Sequence, residues 1–160
     1  MKKKIVAVLV CVLLLLSFTS CAVPEDEVIA SLGEYEKGKH FASDDFQEQH
    51  ADYAKYYYTS LEIEDNKYFK QIQESDFAKI KRHLDDFEAW LATIEDAEPW
   101  NEVVRHYDFD REIVDIEDYF CIDSEEVPWT DGTTVLVNYT VYLFDAQTQV
   151  LYYFYNNMSL

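Results

Sequence analysis

Residues 75–94 read SDFAKIKRHLDDFEAWLATI, and an apolar residue returns every three or four positions along this stretch. Alternating steps of three and four place such residues on one side of an α-helix. The apolar positions are Phe77, Ile80, Leu84, Phe87, Leu91 and Ile94. Ser75 is a favourable N-cap, and Asp76 suits the first turn. The pattern therefore predicts a helix over residues 76–94 that buries one face. A second, short helix is expected to begin at Pro99.

The C-terminal third of the chain has the composition of β-structure. Residues 135–144 and 149–156 are rich in Val, Tyr and Phe, and residues 145–148 suit a four-residue turn. That turn pairs Phe144 with Gln149. One face of the resulting hairpin would be apolar and would meet the helix, and it comprises Val137, Tyr139, Val141, Leu143, Val150, Tyr152 and Phe154. A strand over residues 113–122 and a hairpin formed by residues 56–63 and 67–72 are expected to extend the sheet.

These elements predict an α+β fold, with one long amphipathic helix packed on an antiparallel sheet that ends in a C-terminal β-hairpin. The folded domain is expected to span residues 44–160. Residues 21–43 are predicted to be an acidic tether, because their apolar periodicity is weak and Gly33 and Gly38 interrupt them. A flexible tether of this length reaches about 25 Å on average.

The N-terminus has the order of a secretory signal. Lys2, Lys3 and Lys4 precede an apolar run over residues 5–18, and Thr19-Ser20-Cys21-Ala22 follows it. This arrangement resembles bacterial lipoprotein signal peptides, in which an apolar residue and two small residues precede a lipidated cysteine. Phe18 stands where that pattern usually has Leu. The resemblance implies a signal peptide over residues 1–20 and acyl chains, such as palmitate, on Cys21. It also implies an extracytoplasmic protein held at the cell membrane by lipid.

Two other interpretations of the N-terminus remain open at this point. Cleavage after Ala22 by an ordinary signal peptidase would secrete the protein without lipid. An uncleaved membrane span is the other, although the run over residues 5–18 is shorter than the roughly 20 residues that a membrane helix needs.

The charge of the chain restricts its partners. Loss of the three N-terminal lysines leaves 10 Lys and Arg against 32 Asp and Glu, a formal charge of −22 for residues 21–160. Nucleic-acid binding is therefore not expected, because it needs basic residues to displace counterions from phosphates. A basic protein is a partner of suitable charge, although solubility alone could also explain an acidic surface. The 13 Tyr and 10 Phe argue against disorder. Cys121, in an apolar pattern, is expected to be a buried thiol.

The sequence carries little sign of catalysis or of a cofactor. Three glycines in the whole chain cannot build a glycine-rich phosphate loop, so no nucleotide is expected. The strongest candidate for a metal site is formed by His106, Asp108 and Asp110, which would share one face of an extended segment. A solvated link between a helix and a strand is the alternative explanation of these three residues. Paired carboxylates can be nominated almost anywhere in so acidic a chain, and they leave open a glycosidase-like surface hydrolase.

The aromatic content exceeds what one helix can cover. Tyr142, Tyr153, Tyr155 and Trp129 are candidates for an exposed recognition surface, because Tyr and Trp give large, rigid contact areas with a polar group. The alternative is that an N-terminal segment covers this face. The sequence thus favours a non-catalytic binding lipoprotein whose ligand is a basic protein or a glycan. Its role could be that of an inhibitor or an immunity-type protein.

Overall fold

The computed structural model of the chain describes residues 26–43 and 49–158. The chain divides into two units after Ser31. The described part of the first unit is one turn of helix, α1 (Glu27–Ala30). The carboxylate of Asp26 caps this turn, since it accepts hydrogen bonds from the backbone N–H groups of Val28 and Ile29 at 2.9 and 3.0 Å. Cys21 lies outside the described residues.

The second unit is built on one antiparallel sheet of six strands. In chain order the strands are β1 (Lys37–Ala42), β2 (Gln49–Tyr57), β3 (Lys70–Gln71), β4 (Tyr119–Pro128), β5 (Thr134–Asp145) and β6 (Val150–Met158). Their spatial order is β1-β2-β6-β5-β4-β3, so the C-terminal strand lies between β2 and β5. One long helix packs on one face of this sheet, and the predicted α+β class is confirmed.

The long helix, α2 (Phe77–Ala97), follows a 3-10 turn at Glu74–Asp76. The helix buries Ile80, His83, Leu84, Phe87, Trp90, Leu91 and Ile94, whereas Phe77 is only half-buried. The ring of Phe87 meets that of Phe154 in β6 edge-on, with centroids 5.5 Å apart. Ser75 does not cap the helix. The carboxylate of Asp76 instead accepts hydrogen bonds from the N–H of Gln73 and from Lys70 Nζ.

The segment after α2 covers one side of the core. Helix α3 (Glu102–His106) begins after Asn101, whose side chain accepts a hydrogen bond from the N–H of Val103 at 3.0 Å, so the predicted start at Pro99 is wrong. The ring of Tyr107, just beyond α3, lies 5.9 Å from Phe87 and 5.1 Å from Tyr53 in β2. A 3-10 turn at Arg111–Ile113 follows.

The C-terminal hairpin forms as predicted, but with its pairing shifted by two residues. Phe144 pairs with Leu151 and not with Gln149. The reason is the turn, because Gln149 adopts a left-handed backbone conformation (φ 58°) and belongs to the loop. The carboxylate of Asp145 holds that loop by accepting the N–H groups of Gln147 and Thr148, both at 2.9 Å. A shift of two residues leaves every side chain on its predicted face.

One β-bulge changes which residue of β5 reaches the core. Glu125 pairs with Asn138 while Glu126 pairs with Leu136, so Val137 is the additional residue between them. A bulge reverses the alternation of side chains beyond it. Leu136 therefore packs with the helix in the main core, and the prediction that Val137 does so is wrong.

The tether predicted over residues 21–43 is wrong for its last part. Residues 37–42 form β1, which pairs with β2 from Lys37 opposite Tyr57 to Ala42 opposite Asp52. Five of its six side chains are exposed, so β1 has no apolar alternation by which a sequence pattern could reveal it. Backbone pairing at the sheet edge, and not burial of side chains, places this strand.

Two other predicted strands are also misplaced. The strand expected over residues 113–122 begins only at Tyr119 and continues to Pro128. The hairpin expected over residues 56–72 does not form, because β2 already ends at Tyr57 and Lys70–Gln71 pair with β4. Residues 58–69 between them form a loop. Cys121, in β4, is half-buried and not buried as expected.

Candidate functional site

Among the described residues, cover for the face of the sheet opposite α2 is found at one end. Leu151 and Phe144 at this end are buried, and Tyr58 from the loop of residues 58–69, which we call the roof, lies against Phe144. The rest of this face, which we call the open face, carries polar and aromatic side chains from five neighbouring strands. The pairing register assigns to it His40, His50, Asp52, Asp123, Glu125, Asn138, Thr140, Tyr153 and Tyr155.

The roof determines which of the predicted aromatic side chains are accessible to a ligand. Tyr58 and Phe69 of the roof are buried and lie edge-on to Phe144 and Tyr142, at centroid distances of 6.2 and 6.3 Å. Tyr142 is consequently only 4% exposed, and the prediction that it belongs to an accessible surface is wrong. The covering segment is the loop after β2, where the sequence predicts a hairpin instead.

Tyr153 and Tyr155 are half-buried and border a cluster of two histidines and one carboxylate. The side chain of Asp52 lies between the two imidazoles, with His40 Nε2 3.2 Å from Oδ2 and His50 Nε2 3.0 Å from Oδ1. The ring of Tyr153 lies 6.0 Å from that of His40, and the ring of Tyr155 lies 6.1 Å from that of His50. The cluster and the two tyrosines therefore lie next to one another on the open face, near β1 and β2.

The β4 side of the open face holds a shallow acidic pocket of about 280 Å³. Asp123, Glu125, Thr140 and Tyr155 are among its lining residues. Asp123 and Glu125 are both exposed, and alternation along β4 places them on the same face, about 7 Å apart. Carboxylates beside an aromatic ring attract ammonium and guanidinium groups by charge and by cation–π interaction. The pocket is therefore suited to the end of a Lys or Arg side chain.

Trp129 stands at the tip of the β4–β5 hairpin and is 49% exposed. Its backbone N–H donates to the carbonyl of Thr133 at 2.8 Å, and its carbonyl accepts the N–H of Gly132 at 3.0 Å. Gly132 has a φ of 86°, a conformation that favours glycine. Trp129 follows Asp123, Glu125 and Val127 at intervals of two residues, so a strand alternation directs it to the same face.

The structure does not bring together the three residues predicted to bind a metal. His106 stacks on Phe41 at 4.2 Å, and Asp110 accepts the N–H of Glu112 at 2.9 Å. Asp108 accepts hydrogen bonds from Tyr53 Oη, at 2.8 Å, and from Lys55 Nζ. Burial raises the pKa of Asp108, but these two bonds and the charges of Lys55 and Lys39 together lower it below its usual value. Among the residues that the structure describes, no group of three His, Cys, Asp or Glu side chains could hold a metal ion.

A carboxylate with the raised pKa of a general acid occurs away from the open face. Burial is the main cause that raises the pKa of Asp118, although its oxygens accept the N–H groups of Asp115 and Ala146, both at 3.0 Å. The cavity that Asp118 lines has a volume of about 10 Å³, which is room for about one water molecule and not for a sugar. The hydrogen bonds of Asp118 hold the turns at Asp115 and Ala146 in place. They give no support to the hypothesis of a hydrolase.

No protein-family model, curated protein or solved structure matches this chain. Among residues 26–43 and 49–158, no helix has both the length and the apolar character that crossing a membrane requires.

Sequence reasoning identified part of the open face and missed the rest. Tyr153, Tyr155 and Trp129 were predicted from composition and strand alternation. The cluster around Asp52 was missed because the sequence predicts no strand over residues 37–55, so nothing in the pattern places His40 beside His50 and Asp52. Asp123 and Glu125 were missed because the strand was expected to end at residue 122; a strand assigned to residues 119–128 would have shown both carboxylates on one face.

Proposed function

We propose that the protein is a lipid-anchored, extracytoplasmic binding protein that takes up a basic protein partner on its open face and catalyses no reaction. The observation that carries this proposal is the pair of exposed carboxylates, Asp123 and Glu125, beside Tyr155 in one pocket. The strong negative charge of residues 21–160 supports it further. Summed charge of this size attracts an oppositely charged partner over distances longer than any single contact.

A basic protein suits the open face better than a glycan does. A sugar stacks on the exposed face of an aromatic ring, whereas Tyr153 and Tyr155 are half-buried and neighbour His40 and His50. Trp129 is the aromatic side chain of this region that offers a largely exposed ring. A Lys or Arg side chain can instead bind the exposed carboxylates of Asp123 and Glu125 without stacking on an aromatic ring. An acidic face that covers a basic surface of its partner is compatible with an inhibitor or immunity-type role.

The anchor is proposed from the sequence. Thr19 and Ser20 precede Cys21 at the end of an apolar run, in the order that bacterial lipoprotein signals have. Diacylglyceryl attachment at Cys21 would supply two acyl chains, and two chains hold a protein stably at a membrane where one does not.

Binding of protamine, an arginine-rich polypeptide, tests the role of the open face. The double variant Asp123→Asn/Glu125→Gln removes two charges from the pocket. The control, Glu112→Gln/Glu117→Gln, removes two exposed charges elsewhere, so the net charge of both variants is equal. Titration calorimetry at two salt concentrations should show an affinity about tenfold lower for the pocket variant than for the control.

Two results would count against this proposal. Equal affinities of the two variants for protamine would mean that net charge alone binds it. Binding of a chito-oligosaccharide that weakens with Trp129→Ala, with no preference for protamine, would replace the basic protein with a glycan.

A further inference from the structure

The outer edge of β4 is paired with another strand along only a small part of its length. β3 consists of two residues, which pair with Tyr119 and Phe120. Within residues 26–43 and 49–158, no strand pairs with β4 on that side from Ile122 onward. An uncovered strand edge presents a row of backbone N–H and C=O groups, and such a row can pair with a further strand.

The pairing of β3 shows which backbone groups of β4 point outward. The N–H of Ile72 donates to the carbonyl of Asp118 at 2.9 Å, so the backbone groups of residue 118 point toward the β3 side. In an antiparallel ladder this direction alternates from residue to residue. Ile122 and Ser124 therefore direct their N–H and C=O groups away from β5, whereas Asp123 and Glu125 direct theirs toward it.

The side chains along this edge that lie on the open face are first acidic and then apolar. Asp123, Glu125 and Val127 alternate on the open face, and Trp129 follows at the same spacing. A strand lying antiparallel beside β4 would place two apolar residues opposite Trp129 and Val127. It would then place two residues opposite Glu125 and Asp123, where basic side chains would be paired. The edge should therefore prefer a strand with this order of apolar and basic residues over other extended chains.

The charges of the two sheet edges indicate which kind of strand could pair with β4. The other edge strand, β1, carries Lys37 and Lys39, and lysines at an edge discourage strand addition. The β4 edge carries carboxylates, which repel a second copy of β4 but attract a basic segment. The occupant favoured by these charges is therefore an extended segment of a different, basic protein.

We propose that an extended segment of the basic partner adds to β4 as a seventh strand, antiparallel to it, with two basic side chains over Asp123 and Glu125 and apolar side chains against Val127 and Trp129. This inference rests on the proposed function and states how that partner is held. Backbone bonds to Ile122 and Ser124 would provide affinity, and the side chains over the open face would provide specificity.

A synthetic peptide tests this mode of binding without altering the protein. The probe is the acetylated, amidated heptapeptide Val-Thr-Val-Thr-Lys-Thr-Lys, in which the last Thr would lie opposite Ser124. Methylating the backbone nitrogen of that Thr removes a hydrogen bond to β4. Methylating the nitrogen of the preceding Lys, opposite Glu125, removes an N–H that points to solvent. We expect the first change to weaken binding about tenfold and the second to leave it nearly unchanged.

Hydrogen exchange followed by NMR gives an independent readout. The bound peptide should slow amide exchange at Ile122 and Ser124, while Asp123 and Glu125, already bonded to β5, should exchange as before. Equal affinity of the two methylated peptides, or no slowing at Ile122 and Ser124, would overturn strand addition. If the protamine preference for Asp123 and Glu125 persists in that case, the proposed function stands without it. Slowing that depends on protein concentration and not on peptide would assign the edge to a second copy.

Discussion

At the scale of single residues, His83 is the most unusual group in the core. It is 1% exposed, and its Nδ1 donates to the carbonyl of Lys79 at 2.8 Å. This donation fixes the tautomer and leaves Nε2 as an acceptor, buried and with no hydrogen-bond partner among the described residues. Burial lowers the pKa of His83 and outweighs the hydrogen bond to the Lys79 carbonyl, which acts in the opposite direction.

Protonation of His83 should make the protein less stable in mild acid. The unfolded chain takes up this proton near pH 6.5, whereas the folded protein does so only at a lower pH. The free energy of unfolding should therefore fall as the pH decreases below about 6.5, toward the lowered pKa of the folded state. Urea titrations between about pH 7.5 and about pH 5.5 should show a smaller fall for His83→Met than for the unaltered protein. Equal slopes would mean that another group titrates.

At the scale of elements, α2 is oriented by its apolar side chains. Phe87 is fully buried at the centre of the contact with β6. Phe87→Ala should lower the free energy of unfolding by about 3–5 kcal/mol, because it leaves a cavity that the sheet cannot fill. Lys79→Ala, on the exposed side of the same helix, should change it by less than about 0.5 kcal/mol. Denaturant midpoints measure both, and similar midpoints would contradict this orientation.

The elements with strong periodicity could be predicted from the sequence. The stripe of α2 and the alternation in β5 and β6 identified most of the side chains that meet in the core, although Val137 is an exception. The two-residue shift of the hairpin left the predicted faces of its strands unchanged, because the side chains of a strand alternate with a period of two. β1 could not be predicted, since its six side chains bury little and pairing with β2 determines its place.

The candidate site was harder to predict than the core. Tyr153 and Tyr155 follow from the alternation of β6, but the burial of Tyr142 depends on Phe69, which is distant in sequence. Prediction of the pocket requires knowing where β4 ends. The exposed acidic residues of β4 show no hydrophobic alternation that would mark this end. Convergence of His106, Asp108 and Asp110 required one extended segment, whereas His106 is the last residue of α3 and a 3-10 turn begins at Arg111.

At the scale of the whole molecule, the proposed anchor at Cys21 would determine where the protein acts. Cys21→Ser should release the protein from the membrane or block its processing, because serine cannot take the thioether-linked lipid. Phase partitioning of whole cells in detergent should place the unaltered protein in the detergent phase and the variant in the aqueous phase. The matched control is Cys11→Ser, which changes a cysteine within the apolar run and should leave partitioning unaltered.

A second outcome distinguishes lipid from ordinary secretion. If the unaltered protein and Cys21→Ser both partition into the aqueous phase, the lipoprotein interpretation is wrong. The protein would then be secreted without an anchor, as cleavage after Ala22 implies. The acidic open face would still be available to a basic partner, so this experiment leaves the binding proposal untouched.

The position of β6 between β2 and β5 bears on when the chain can fold. The side chains of Gln49 and Asn156 are joined by a hydrogen bond of 2.8 Å across 107 residues. Until β6 is available, the hairpin of β1 and β2 has no neighbour, and a lone hairpin is marginally stable in water. Contacts this distant in sequence also make folding slow. The sheet can therefore be completed only after β6 has been synthesised, and the hairpin of β1 and β2 has no further sheet neighbour until then.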